Sequence, residues 1–291
     1  MASISPAALT LGALDLLTIE PDTGVTWVAE KVTGWGSPGS TLEMVQKSRG
    51  HGAWAGNSFL RPRAVGVEGW MIAPDGAVAE AENAIDRLIA AASLYATVLS
   101  VSTAAGSRWC NVRRDDEVIV DWISPTEAKW SFQVAAPDPR KFGDTRTDTT
   151  ALPSSTGGLT VPFTVPFSIN AVTATGQVSL TNPGNIAGPV LLRIDGPSNP
   201  GDPALVGPVV THVSSGLSLV FSTSLTLRYG DFIVVDMEKR EVLAQGQSTR
   251  NGWVTGRGWS AFEPGENTWS FSAVGASPSA KLTVTAIPAW Q

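Results

Sequence analysis

Residues Tyr229–Phe271 read YGDFIVVDMEKREVLAQGQSTRNGWVTGRGWSAFEPGENTWSF, and this stretch decides the fold. Phe232–Val235 and Val242–Ala244 are short apolar runs separated by Glu238, Lys239, Arg240 and Glu241, which predicts a strand, a tight charged turn and a second strand. Past Gly246 the chain meets Asn251-Gly252, a strong turn dipeptide. A Trp259 segment follows, and Pro264-Gly265-Glu266-Asn267 turns the chain into Thr268-Trp269-Ser270-Phe271. Hairpin-like reversals repeated over about forty residues predict an antiparallel meander, and with it an all-β domain.

Outward from this stretch the pattern persists. Residues 151–291 hold 12 of the 20 prolines and no helical period. Short strands are expected at Val161–Ile169, Gln177–Thr181, Val190–Ile194, Val206–Val213, Ser218–Phe221 and Leu225–Arg228, and Ala280–Ile287 closes the set. Turn signals such as Asn182-Pro183-Gly184-Asn185 recur roughly every ten residues, as a β-sandwich requires. Residues 143–158 (GDTRTDTTALPSSTGG) are small and polar and read as a linker. The expected organisation is therefore a first domain over 1–142, a linker over 143–158 and a sandwich over 159–291.

The first half is also mainly β. Leu9–Glu20 and Val25–Val32 predict a hairpin turned at Pro21-Asp22-Thr23-Gly24. Strands are expected at Ala64–Ile72, Leu94–Val101, Ser107–Arg113, Glu117–Ile123 and Ala128–Ala135, the last putting Trp130, Phe132 and Val134 on one face. Pro137-Asp138-Pro139 ends that strand by removing two ladder donors. Val78, Ala81, Ile85, Leu88, Ile89 and Ala92 recur at spacings of three and four, predicting one helix over about 77–93 with Asp75 as N-cap. Residues 46–63 (QKSRGHGAWAGNSFLRPR) lack a period and read as a long loop, functional or merely solvated with Trp54 tucked under its own domain.

At 291 residues the chain is long enough for two cores. Net charge is −6, and residues 1–150 carry 13 Lys and Arg against 18 Asp and Glu. Neither half offers a basic footprint for nucleic acid. An acidic first half suits an ordinary soluble protein, and equally a ring whose channel passes DNA without holding it. Cys110 is the single cysteine, which fits a reducing cytoplasm. The first thirty residues contain no Lys or Arg, and no apolar run reaches membrane-spanning length.

The chemistry of an enzyme is not written in the sequence. The two histidines, His51 and His212, fall in different halves. There is no G-x-S-x-G, H-E-x-x-H or paired C-x-x-C. Gly34–Gly39 (GWGSPG) matches G-x-G-x-x-G only nominally, with Pro38 inside it. The acid groups Asp115/Asp116/Glu117 and Glu263/Glu266 sit in turns that need such residues anyway. No catalytic, cofactor or metal residue is therefore assigned.

The pieces in the opening stretch, a Gly-Asp entering an apolar strand that ends in Asp, a basic turn, a Trp segment and Pro-Gly-x-Asn, resemble the C-terminal domain of siphophage distal tail (Dit) proteins. Trp54-Ala55-Gly56-Asn57 with the following FLRPRAVGVEGW, and Ala136-Pro137-Asp138-Pro139-Arg140-Lys141-Phe142, fall where that family places its own elements. The resemblance implies a galectin-like second domain and a structural virion protein of a long, non-contractile tail. Six copies would form a ring joining tail tube to tail tip, after assembly in the host cytoplasm. The implied partners are further copies of the chain, the tail tube protein, the tape measure protein and the tail-associated hub protein, with DNA only passing through the channel and no insertion into a membrane. It also makes 46–63 the ring contact, with Arg49, Trp54, Asn57, Phe59 and Arg61 as contact residues. A different class stays open: a carbohydrate-binding module stacking sugars on Trp253 and Trp259 of the sandwich.

Overall fold

The computed structural model describes residues 3–4, 6–156, 172–174, 176–275, 277 and 279–291. The expected strand Val161–Ile169 lies outside the described residues, as do the last two residues of the expected linker. The chain divides into two compact units, Met1–Gly143 with Trp290–Gln291, and Asp144–Ala289.

In the first unit the labelled elements are β1 (Ala8–Leu11), β2 (Thr26–Thr33), β3 (Ser40–Gln46), β4 (Ala53–Leu60), β5 (Arg63–Ile72), α1 (Val78–Ala91), β6 (Thr97–Thr103), β7 (Gly106–Arg114), β8 (Ile119–Ser124) and β9 (Glu127–Ala136). The main sheet runs β2-β5-β9-β7-β6-β1, with β8 also on β9. Its spine is β5, in register with β9 from Ile72 opposite Glu127 to Arg63 opposite Ala136. Strict alternation on β5 buries Val65, Val67 and Met71. Trp27 and Trp130 meet edge to face at 6.2 Å between centroids. Gly69 lets them pack, because a Cβ there would stand 2.7 Å from Trp130 Cζ2 and 2.1 Å from Val28 O.

Helix α1 is the one α-helix among the described residues, and it buries Ala81, Ala84, Ile85 and Leu88. Asp75 is not its N-cap. The cap position is Ala77, with no side-chain cap bond, because Gly76 at φ 79° closes a turn in which Ala77 N–H donates to Pro74 O. The cap position therefore falls two residues past Asp75. Leu9–Glu20 is likewise not a single strand. Gly12 at φ 59° reverses it after Leu11, and only an isolated bridge at Ile19 rejoins Thr26.

The second unit contains β10 (Arg146–Ala151), β11 (Gln177–Asn182), β12 (Val190–Asp195), β13 (Leu205–His212), β14 (Leu217–Phe221), β15 (Phe232–Asp236), β16 (Glu241–Ala244), β17 (Ser248–Thr249), β18 (Val254–Arg257), β19 (Gly265–Gly275) and β20 (Lys281–Ala286). Two antiparallel sheets, β10-β20-β12-β15-β16-β17 and β11-β19-β13-β14-β18, enclose a core that includes Leu192, Ile194, Phe262, Trp269 and Leu282. This is a β-sandwich.

Two expectations fail here. Residues 146–151, read as linker, form edge strand β10 on β20, where Thr147 and Thr149 hydroxyls meet Thr285 and Thr283 at 3.3 and 3.0 Å. Threonine is polar in composition but β-branched in shape, and the edge of a sheet uses both properties. The meander is also shorter than its turn signals suggest. Only β15-β16-β17 is continuous; at Asn251 the chain leaves that sheet and joins the other as β18. Asn251 ends the ladder itself, its Oδ1 accepting from Val242 N–H at 2.6 Å while its Nδ2 donates to Arg240 O at 3.0 Å.

The Glu263–Asn267 turn is a buried polar hub. Asn267 is wholly buried, donates to the carbonyls of Glu263 and Gly265 at 2.7 and 3.0 Å, and accepts from Glu263 N–H at 2.9 Å. Its Oδ1 lies 3.1 Å from His212 Nε2, whose other nitrogen is 2.7 Å from Ser215 Oγ. Burial pushes the His212 pKa down, so at neutral pH the ring is uncharged and donates through Nε2.

Candidate interaction surface

Among the described residues, strands β3 and β4 pair only with each other. Residues 40–59 are all exposed, and only Leu60 begins to be covered. The segment read as an irregular loop is thus a projecting hairpin arm. Its tip is closed by Lys47 N–H to Gly52 O at 3.1 Å, with Gly50 and Gly52 at positive φ. A two-stranded ribbon is marginal alone in water, yet this one exposes Leu42, Met44, Val45, Trp54 and Phe59 at 42–69%.

Register explains why no period was visible. Leu42 stands opposite Ser58 but Met44 opposite Ala55, so β4 carries an extra residue at Gly56-Asn57. Trp54 and Phe59, an odd number apart, would face opposite ways in a regular strand. With the bulge they pair with Val45 and Thr41 respectively, two β3 residues four apart, and so share one face. Lys47 Nζ sits 5.0 Å from the centre of the Trp54 ring.

The five residues expected at an interface therefore separate. Trp54 and Phe59 form one face of the arm, Asn57 lies in the bulge, Arg49 is at the tip, and Arg61 is at the root, where its Nε donates to Thr41 Oγ1 at 3.0 Å. Trp54 does not tuck under its own domain; it is 69% exposed. Leu42, Met44 and Val45 were missed, although Thr41-Leu42-Glu43-Met44 alternates as a strand should.

Both roots of the arm are pinned by two buried cations that no motif announced. Arg63, 1% exposed, donates through Nε to Pro139 O at 2.9 Å and through Nη1 to the carbonyls of Gly34, Trp35 and Gly36. Lys141 donates to Trp35 O and Gly36 O at 3.1 and 3.3 Å. Gly34 makes the approach possible: at φ 77°, a Cβ there would fall 1.9 Å from Ala64 O. Burial, then the charges of Arg63 and Arg108, bring the Lys141 pKa down to about 8 from its ordinary 10.5. Burial pushes the Cys110 thiol up to about 12, so it stays neutral.

A pH dependence follows. Between about pH 8 and 10.5 the folded chain gives up the Lys141 proton while the unfolded chain still holds it, so stability rises with pH across that window. Urea unfolding of the wild type should show a rise of about 1–3 kcal/mol there, and Lys141→Met should flatten it. Equal slopes in the two proteins would remove Lys141 as the cause.

In the sandwich, Trp253 is 37% exposed and lines a cleft of about 300 Å³ with Asp231, Phe232, Gln245 and Arg250. Trp259 does not line that cleft; it packs half-buried against the sandwich core. The acid turns serve local structure. Asp115 accepts from Gln133 Nε2 at 3.2 Å, and Asp116, at φ 85°, accepts from Glu117 N–H at 2.9 Å. Among the described residues no three His, Cys, Asp or Glu side chains are grouped to hold a metal ion.

No family model matches the sequence, and no curated protein matches it at the sequence level. Solved structures do. The crystal structure of SPP1 Dit (gp 19.1), described as a paradigm of the hub adsorption apparatus in phages infecting Gram-positive hosts, superposes over 98% of this chain and 99% of its own, with a TM-score of 0.65 at 12% identity. The chain has the fold of a phage distal tail protein. Chains of the phage P2 baseplate, in activated conformations with Ca and with Sr, align over 98% and 96% of this chain and the same shares of their own. Their identities are 10% and 11% and their TM-scores 0.48 and 0.46.

Proposed function

We propose that the protein is a structural, non-catalytic component of a phage tail tip, in which copies close into a ring through the arm of one copy laid against the body of the next. The observation that carries this reading is the arm: a ribbon too small to be stable alone, exposing Trp54, Phe59 and Val45 on one face, on a chain with the Dit fold. Large aromatic side chains on a projecting element are what interfaces use. A contact between an arm and a different surface is heterologous, and it closes into a ring when the rotation allows.

Six copies at the end of a long, non-contractile tail would join the tail tube to the tip, meeting the tube protein, the tape measure protein and the hub protein in the virion. Assembly would precede release, in the host cytoplasm. The acidic first half, 18 carboxylates against 13 basic residues over 1–150, would let DNA pass without adhering. Light scattering on the size-exclusion peak, with negative-stain images of the same fraction, tests this. The expected species is about 180 kDa, six chains of 30.4 kDa around a central hole. A chain that stays monomeric at high concentration and in the presence of purified tail tubes would overturn the reading.

A further inference from the structure

Between the two roots of the arm lies a cleft of about 410 Å³, walled by Gly34, Gly36, Ser37, Pro38 and Gly39 on one side and by residues 61–64 on the other. We propose that this cleft is a binding site for an oxyanion of the carboxylate or phosphate class, held by Arg61 and drawn by the buried charges of Arg63 and Lys141.

The first ground is an unfinished hydrogen-bond set. Arg63 is 1% exposed, and its Nη2 is buried with no acceptor among the described residues, although its Nε and Nη1 are fully engaged. A guanidinium short of an acceptor keeps more of its positive field, and that field reaches the cleft although Nη2 itself is closed to a water-sized atom.

The second ground is charge. Arg63 and Lys141 both donate to Trp35 O and Gly36 O, so two cations share one buried pair of carbonyls. Neither is in an ion pair among the described residues. Cys110 is neutral, and the carboxylate of Asp138 is taken by Arg140 at 2.6 Å. Buried charge of one sign without a counter-ion calls for one. Arg108 adds to the same field.

The third ground is room. A Cβ at Gly36 would meet nothing within 4 Å, and one at Gly39 only Arg61 Cδ at 3.6 Å. One wall of the cleft is therefore bare backbone, with the exposed Arg61 guanidinium across from it. The ligand class has two natural sources, a free anion or an Asp or Glu side chain of a second copy.

Inorganic phosphate is the probe. At pH 7 and matched ionic strength, phosphate in place of chloride should raise the unfolding temperature of the full chain by about 2 °C or more in a saturable way. Arg63→Gln risks the fold, so the informative variant is Arg61→Gln. That exposed side chain should leave the chloride melting temperature unchanged and remove most of the phosphate shift. No phosphate-specific shift in the wild type, or an equal shift in Arg61→Gln, overturns the proposal. Light scattering on the same samples identifies the source. A fall in mass with phosphate marks a neighbour's carboxylate as the natural occupant, and an unchanged mass marks a free anion. The thermal readout works on a monomer, so failure of the ring reading would not be mistaken for failure of the site.

Discussion

Replacing residues 41–59 with a short Gly-Ser turn should yield a folded chain that no longer assembles. The segment is exposed throughout and pairs with no other strand among the described residues, so its loss should change unfolding free energy by no more than ~1 kcal/mol. Self-association should fall by at least about 100-fold, because Trp54, Phe59 and Val45 supply the apolar area that a contact between copies would bury. The position of the cut matters. A deletion over 46–63, the natural choice from sequence, would also remove Arg63 and unpin both roots, confounding assembly with folding. The double variant Trp54→Ala with Phe59→Ala is the milder version. Unchanged ring mass in both variants would show that the arm is not the contact.

Arg63→Met should cost the first unit about 2–4 kcal/mol in urea unfolding. Four carbonyls, those of Gly34, Trp35, Gly36 and Pro139, lose a charged donor, and Lys141 reaches only two of them. The loss is smaller than a count of bonds suggests, because the variant also removes a buried charge that repels Lys141. That offset has its own signature. With Arg63 gone, the Lys141 pKa should climb from about 8 back toward 10.5, and the pH-dependent rise in stability should shrink with it. Arg63→Lys keeps the charge but not the planar fork, and should recover less than half of the loss. A cost below ~0.5 kcal/mol for Arg63→Met would mean that the roots are held by something else.

Much of the architecture was legible because local patterning and burial agree. Period-two alternation located β5 and β9, and the three-four spacing of Ala81, Ile85 and Leu88 located the helix, since each of these elements has one face in a core. The charged Glu238–Glu241 turn located the β15-β16 hairpin for the same reason. Where the pattern misled, a specific competitor had won. Threonine's shape outweighed its polarity in β10, a side chain took the place of a strand at Asn251, and a bulge at Gly56-Asn57 broke the period of β4 while bringing Trp54 and Phe59 together.

By itself the sequence determined a mainly β chain, the one α-helix among the described residues and a sandwich in its second half, because composition, turn chemistry and periodicity are properties of neighbouring residues. It also marked 46–63 as unusual. Only the tertiary structure decided that this segment is an arm, that its aromatics share a face, and that Arg63 and Lys141, 78 positions apart in sequence, pin its roots from the interior. Those facts depend on cross-strand register and on the meeting of residues distant in the chain. No local pattern encodes such meetings, since the free energy that selects them arises only when the strands pack.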